Sequence, residues 1–280
     1  MGQSGVQRSR WRRMARWLAP ALLLGWVFFG RSCVRVRPVE TAVAPSMRLL
    51  TYNLDKDSAN REAALAVIEQ ADPDVILFQE ASAEWQELLT SKLHGRYPHA
   101  SFNQPKIGYD GIGMMSKFPI VEERWLDKTG GGWFPGQLLV LETPLGRVQL
   151  LNVHLRPPSS DTGNKVVGYL TTGGVRRKEI EGLYGQLRPV GPTVVVGDFN
   201  EGDGGSAVEW LKEKHLTDAL PEFDRKSSTW QGQYLGMRLT DRPDHVMYSG
   251  ELRCFEARVI PEIASDHDPV LAVIGLQAEK

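Results

Sequence analysis

The stretch Thr193-Val-Val-Val-Gly-Asp-Phe-Asn-Glu201 constrains this chain more than any other. Four successive β-branched residues predict a strand buried on both faces, inside a sheet that is covered on two sides. The run stops at Gly197-Asp198-Phe199-Asn200, so a carboxylate and a carboxamide leave the strand two positions apart. Alternate strand residues share a face, which predicts that Asp198 and Asn200 project into one pocket. There a carboxylate can hold a hard cation or take a proton, and a carboxamide can donate to a phosphoryl oxygen. Asp and Asn are also ordinary turn residues, so the stretch alone leaves site and turn equally open.

Other segments repeat its form. Met47-Arg-Leu-Leu-Thr-Tyr-Asn53 and Val75-Ile-Leu-Phe-Gln-Glu80 are apolar runs that end in a polar residue, and α/β sheets place their chemistry at strand ends. Between them, Ala64, Leu65, Ile68 and Ala71 fall at helical spacing, and Asp72-Pro73 stops the helix. Further helices are predicted over 83–93, 175–187 and 206–215. Further strands are predicted at 111–120, 253–260 and 265–274, with a hairpin of 137–143 and 148–154 around Pro144-Leu-Gly146. Residues 156–174, rich in Pro, Ser, Gly and Thr, read as a long surface loop of the kind that borders active sites. Strands outnumber helices, partly alternating with them and partly in hairpins. That mixture predicts two packed sheets with helices outside, in one domain over 47–276 with a short tail at 277–280.

Charge divides the chain unevenly. The net charge of −1 conceals eight arginines and no acid within residues 1–39; without them, 25 basic residues stand against 34 acidic ones. A dedicated duplex-binding protein presents basic surface, because phosphate neutralisation supplies most of its affinity. This domain lacks that balance overall. The arginines flank Trp17-Leu-Ala-Pro-Ala-Leu-Leu-Leu-Gly-Trp-Val-Phe-Phe-Gly30, which is shorter than the roughly 18–20 residues a spanning helix needs. Arg31 follows the run directly and no nearby cleavage pattern follows it, while flanking arginines can snorkel and extend a short anchor. Residues 1–37 are therefore expected to be a membrane anchor rather than a cleaved signal, with 38–46 as linker. Five arginines before the run and three after it orient the domain outward, periplasmic or extracellular, and secreted if the segment is cleaved. Cys33 and Cys254 are the only cysteines, which excludes a disulfide framework and a thiolate metal cluster.

The polar strand ends are Asn53, Glu80, His154, Asp198, Asn200 and Asp244, joined by Asp266 and His267 before the last strand. Each alone fits a turn, a cap or a surface pair. Together they suit metal-assisted phosphoester hydrolysis. Glu80, Asp266 and Asn53 offer oxygen ligands for Mg²⁺ or Mn²⁺. His267 backed by Asp244 is a competent general base or an electrostatic partner for the scissile phosphate, with Asp198 orienting or deprotonating the water. Asn200 and His154 can donate to the phosphoryl oxygens. Neither a Gly-x-Ser-x-Gly elbow nor a Walker glycine loop is present, which argues against a serine hydrolase or an NTP motor. Trp125, Trp133 and Phe134, beside Gly130-Gly-Gly132, fit either a lipid- or base-contacting tip or ordinary packing.

Eight motifs occur in order: Leu50-Thr-Tyr-Asn53, Phe78-Gln-Glu80, Gly113-Met-Met-Ser-Lys-Phe-Pro-Ile120, Asn152-Val-His-Leu155, Gly197-Asp-Phe-Asn200, Ser228-Thr-Trp230, Arg242-Pro-Asp-His-Val246 and Ser265-Asp-His267. In these the chain resembles the endonuclease/exonuclease/phosphatase superfamily, which includes deoxyribonucleases, apurinic-site endonucleases, inositol-polyphosphate phosphatases and sphingomyelinases. The resemblance implies a four-layer α/β sandwich, two packed mixed sheets flanked by helices. It places Asn53, Glu80 and Asp266 on metal positions and His267 and Asp244 on the catalytic pair. His154 falls on the phosphate-facing histidine of the nuclease and sphingomyelinase branches. His245 and Val246 stand where the family often has an aromatic residue and isoleucine. The expected activity is Mg²⁺-dependent hydrolysis of a phosphodiester in a nucleic acid, phospholipid or small molecule, without an implied protein partner. The rival expectation is a catalytically silent, membrane-anchored binding module on the same fold, which the retention of Glu80, Asp198 and His267 disfavours.

Overall fold

A computed structural model of the chain describes residues 36–42, 45–103, 106, 109, 111–159, 167–168, 171–234 and 236–277. Its first six-stranded sheet holds β1 (Ser46–Asn53), β2 (Val75–Gln79), β3 (His99–Phe102), β4 (Ile112–Ser116), β13 (Leu252–Val259) and β14 (Val270–Leu276), in the order β13-β14-β1-β2-β4-β3. The second holds β5 (Ile120–Leu126), β6 (Gly136–Thr143), β7 (Gly146–His154), β8 (Thr193–Asp198), β9 (Thr217–Asp218) and β12 (Asp244–Tyr248), in the order β5-β6-β7-β8-β12-β9. A separate hairpin, β10 (Trp230–Tyr234) with β11 (Met237–Asp241), precedes β12.

Each sheet is built around one parallel pair, β1 with β2 and β7 with β8. Parallel neighbours need a crossover, and helices supply it: α1 (Arg61–Ala71) before β2 and α3 (Gly173–Tyr184) before β8. The helix α2 (Ala83–Leu93) covers the first sheet, and α4 (Ser206–Glu213) joins α3 on the second; α5 (Leu220–Phe223) is a single short turn. Strand alternation then sorts the apolar residues into three cores. Leu49, Leu77, Leu150, Val194, Val196 and Val246 meet between the sheets. Leu50, Phe78 and Leu271 pack under Ile68, Trp85 and Leu89, whereas Leu151, Val153, Val195 and Met247 pack under Ile180 and Leu211. The four layers of the sandwich follow directly from that alternation.

Local signals behave as their physics demands. α1 ends where Asp72 takes a left-handed backbone (φ 41°) and returns its N–H to Ile68, immediately before Pro73. Gly197, with φ 137°, brings β8 so close to β7 that a Cβ there would lie 2.0 Å from the Val153 carbonyl oxygen. Only glycine fits there. The helix predicted over 175–187 runs from Gly173 to Tyr184 instead. The edge strands β3 and β5 and the β10–β11 hairpin lack strong apolar runs. Their exposed, alternating or polar residues carry little periodic signal, and neighbouring strands define them.

The apolar run at 17–30 and the arginines from Arg8 to Arg35 lie outside the described residues, as do residues 160–166, 169 and 170 of the loop predicted over 156–174. Among the described residues, no helix is long and apolar enough to cross a membrane. Ahead of β1 the chain lies on the domain: Arg37 donates from its backbone to Glu222 and pairs with that carboxylate at 3.0 Å, and Glu40 pairs with Arg253.

Candidate active site

The same alternation that sorts the core sends a row of polar residues toward one end of the cleft between the sheets. Below Asn53, at the end of β1, Thr51 and Leu49 face the other sheet. Below Asp198, at the end of β8, Val196 and Val194 do the same. Strand register pairs His154 with Asp198 across β7–β8 and Asp244 with Asp198 across β8–β12. Three adjacent strands therefore place one functional residue each in a single row. Glu80 follows β2 with φ 54°, a left-handed backbone that costs a non-glycine residue energy.

The row is bonded across the sandwich. Asn53 Nδ2 donates to Asp198 Oδ2 at 3.0 Å and reaches Glu80 Oε1 at 3.5 Å. The same Asp198 oxygen lies 3.6 Å from His154 Nε2 and 3.7 Å from His267 Nε2, while Asp198 Oδ1 accepts the Asn200 backbone N–H at 2.8 Å. His267 Nδ1 meets Asp244 Oδ2 at 2.9 Å, and Thr229 Oγ1 donates to that oxygen at 2.6 Å. Ser265 holds the approach to His267, donating from Oγ to the Asn53 carbonyl and accepting the His267 N–H.

Burial and charge set the protonation of these groups. Desolvation works against a charged His267, but Asp244 and Asp198 overcome it and raise its pKa to about 10. The ring is an imidazolium at neutral pH, which makes it a cation facing the cleft rather than a free base. Burial lowers the pKa of His154, leaving its ring neutral. Burial also raises Asp198 above the usual carboxylate range, and raises Glu80 to about 7.

Two predicted residues sit differently from the rest. The backbone of Asn200 is left-handed (φ 54°), so the alternate-residue argument does not reach it; its carboxamide donates to the Leu155 carbonyl at 2.9 Å. Asp266 is exposed at the rim, where its Oδ2 accepts the indole N–H of Trp230 at 2.8 Å. Arg242 pairs with Asp203 at 3.5 Å and leaves Asp244 to His267.

Several supporting residues carried no role in the sequence reading. Thr229 holds Asp244, and Trp230 holds Asp266. Directly below the site, Gln79 Nε2 donates to Asn152 Oδ1 at 2.8 Å, and Asn152 Nδ2 donates to the Gly113 carbonyl at 3.0 Å. This buried polar layer ties the two sheets together beneath the row. All four residues lie inside the quoted motifs, and for Gln79 and Asn152 the signal is a polar residue within an apolar strand.

Glu80 fits a divalent cation. Its carboxylate has lost much of its water, yet its hydrogen-bond donors are the Lys56 N–H at 3.3 Å and the Asn53 amide at 3.5 Å, both long. A bound cation would offset that cost, and the oxygen donors of Glu80, Asp266 and Asn53 suit Mg²⁺ or Mn²⁺. Among the described residues two other groups gather three potential ligands within 4.8 Å, namely Asp198, Asp244 and His267, and Asp203, Asp218 and His245. In each, the histidine already bonds one carboxylate, His267 to Asp244 and His245 to Asp218. His245 Nδ1 meets Asp218 Oδ2 at 2.8 Å and Nε2 meets the Glu201 carbonyl at 2.9 Å, and Asp218 outweighs burial to raise the histidine pKa to about 9.

The fold and this row of side chains define a class. The pattern of the endonuclease/exonuclease/phosphatase family matches residues 50–267, and the chain belongs to that family. No curated protein sequence matches the chain. Solved structures share its fold at low identity. A Beutenbergia cavernae endonuclease/exonuclease/phosphatase protein is 20% identical, with a TM-score of 0.63 over 82% of this chain and 72% of its own. TDP2 of D. rerio, complexed with a single-strand DNA product, is 13% identical, with a TM-score of 0.66 over 82% of this chain and 99% of its own. The human Nocturnin catalytic domain with bound sulfate is 15% identical, with a TM-score of 0.63 over 86% of this chain and 100% of its own.

Proposed function

We propose that this chain is a metal-dependent phosphodiesterase whose reaction takes place at the end of the inter-sheet cleft. One observation carries the reading: Asp198 stands between two histidines, His267 backed by Asp244 and His154 without a carboxylate on its other nitrogen, opposite the under-bonded Glu80. Asp198 Oδ2 is the group that takes a proton from the attacking water, since burial has moved its pKa upward. His267 donates its Nε2–H to a non-bridging phosphoryl oxygen and offsets the charge that grows there. His154 adds a neutral hydrogen bond, and Asn200 fixes the turn that aims Asp198 through its backbone N–H. A Mg²⁺ or Mn²⁺ ion held by Glu80, Asp266 and Asn53 would act as Lewis acid toward the phosphoryl and leaving oxygens.

The test is hydrolysis of a phosphodiester after exhaustive chelation. Activity is expected to vanish with the metal, to return with Mg²⁺ or Mn²⁺, and to return only weakly in Glu80→Gln. Full turnover in excess chelator would sink the metal reading. A folded wild-type protein that hydrolyses no phosphodiester with metal present would instead support the silent binding module.

The arginine-flanked run at 17–30 supports membrane anchoring with the domain exported. A chain truncated ahead of Val36 keeps the Arg37–Glu222 and Glu40–Arg253 pairs. It is expected in the soluble fraction with its activity intact, and truncated protein that still sediments with membranes would remove the anchor assignment.

A further inference from the structure

The loop between β5 and β6 carries residues that the row of catalytic groups does not use. Its glycines press it against α3: a Cβ on Gly130 would fall 2.5 Å from the Glu179 backbone nitrogen, and one on Gly132 would fall 2.0 Å from Glu179 Oε1. Glu179 is fully buried, which raises its carboxyl to about 8, and its Oε2 accepts the Arg156 N–H at 2.9 Å. The loop is thus held without freedom to swing.

It delivers two aromatic rings to the site. Phe134 is buried and stacks on the His154 imidazole, with centroids 4.1 Å apart and planes 21° apart. Trp133 meets Phe134 edge to face at 6.3 Å, and the Arg156 guanidinium lies 3.8 Å over the indole. Arg156 is itself buried, donating to the Gly131 carbonyl at 3.1 Å. The guanidinium covers one indole face and Phe134 stands at 89° to the ring, yet Trp133 remains 38% exposed. That exposure lies away from the guanidinium-covered face.

We infer that Trp133 is a stacking platform for a nucleobase of the substrate, next to the phosphate-binding His154. This rests on the phosphodiesterase reading and narrows its substrate to a single-stranded, base-bearing phosphodiester. A membrane-inserting tip would point apolar side chains away from charge, whereas this indole carries a buried guanidinium 3.8 Å over its centroid. That arrangement suits a planar ring attached to an anion: the base meets an indole face fixed before binding, so little side-chain entropy is lost. It also reconciles an acidic domain with a nucleic-acid substrate, because stacking supplies affinity that a basic surface would otherwise provide.

The test uses the full chain in detergent and two single-stranded oligomers of equal length, oligothymidylate and its abasic counterpart. Binding is measured in chelator, and hydrolysis with Mg²⁺. Base stacking is worth roughly 1–3 kcal/mol, so Trp133→Ala is expected to weaken oligothymidylate binding about tenfold and raise KM correspondingly, with little change in kcat. Abasic binding should not move, and Trp133→Phe should restore most of the loss. Equal binding of both oligomers by the wild-type chain overturns the platform, as does a Trp133→Ala variant that weakens both alike. Selective, Trp133-dependent binding without hydrolysis of either oligomer would leave the platform standing and remove the phosphodiesterase reading.

Discussion

Replacing His267 with alanine is expected to lower turnover by roughly two to four orders of magnitude, the usual contribution of a positioned proton-transfer or charge-stabilising group. His267 is poised by three partners: Asp244 on Nδ1 at 2.9 Å, Asp198 3.7 Å from Nε2, and Ser265 on its backbone N–H. The alanine variant removes the cation that faces the phosphate and strands Asp244 with Thr229 alone. Loss of a buried partner also costs stability, so kcat must be measured on protein shown to be folded at the assay temperature. His267→Gln keeps a hydrogen-bond donor without the charge. It should recover stability ahead of rate. A near-normal kcat in either folded variant would take His267 out of the mechanism.

The largest expected loss of stability comes from Glu201→Ala, at about 3–5 kcal/mol, because it leaves a buried cation unpaired. Arg176 is buried on α3, with Nε 2.8 Å from Glu201 Oε2 and one terminal nitrogen donating to Thr172 Oγ1 at 2.8 Å. The other carboxylate oxygen of Glu201 accepts the N–H groups of Ala207 and Val208, capping the free amides of α4. Its backbone carbonyl binds His245, which is locked to Asp218. The side chain thus joins two helices, while the backbone of the same residue ties the turn after β8 to the His245–Asp218 pair. Denaturant unfolding of the wild-type and variant domains measures the difference, with Glu201→Gln expected to lose less because it can still accept from α4. A loss below about 1 kcal/mol would show that Arg176 finds water or another partner.

Both predictions show where the chain was readable. Glu201 closes the most constraining stretch of the sequence, yet nothing local marks its side chain as more than a turn carboxylate. Its partner Arg176 lies 25 residues away in sequence, and His245 lies 44 away. Similarly, the sequence placed Asn53 and Asp198 at strand ends, but their 3.0 Å bond spans 145 residues. A histidine beside an aspartate reads equally as a base or as an electrostatic partner for phosphate, and only the convergence of Asp244 and Asp198 on one buried ring raises its pKa to about 10.

What the sequence determined by itself was the set of local decisions. These are the runs that become buried strands, the stop of α1 at Asp72-Pro73, the glycine that lets β8 approach β7, and the polar group at each strand end. They depend on backbone sterics and two-residue alternation, which act within a few neighbours. The eight ordered motifs extended that reading to the family. Tertiary structure alone decided which ends meet: the register that lines up His154, Asp198 and Asp244, the Gln79–Asn152 layer beneath them, the weak edge strands, and the indole laid on Arg156 beside the site. Those arrangements depend on packing two sheets face to face and on the low dielectric between them, and neither exists until distant segments have come together.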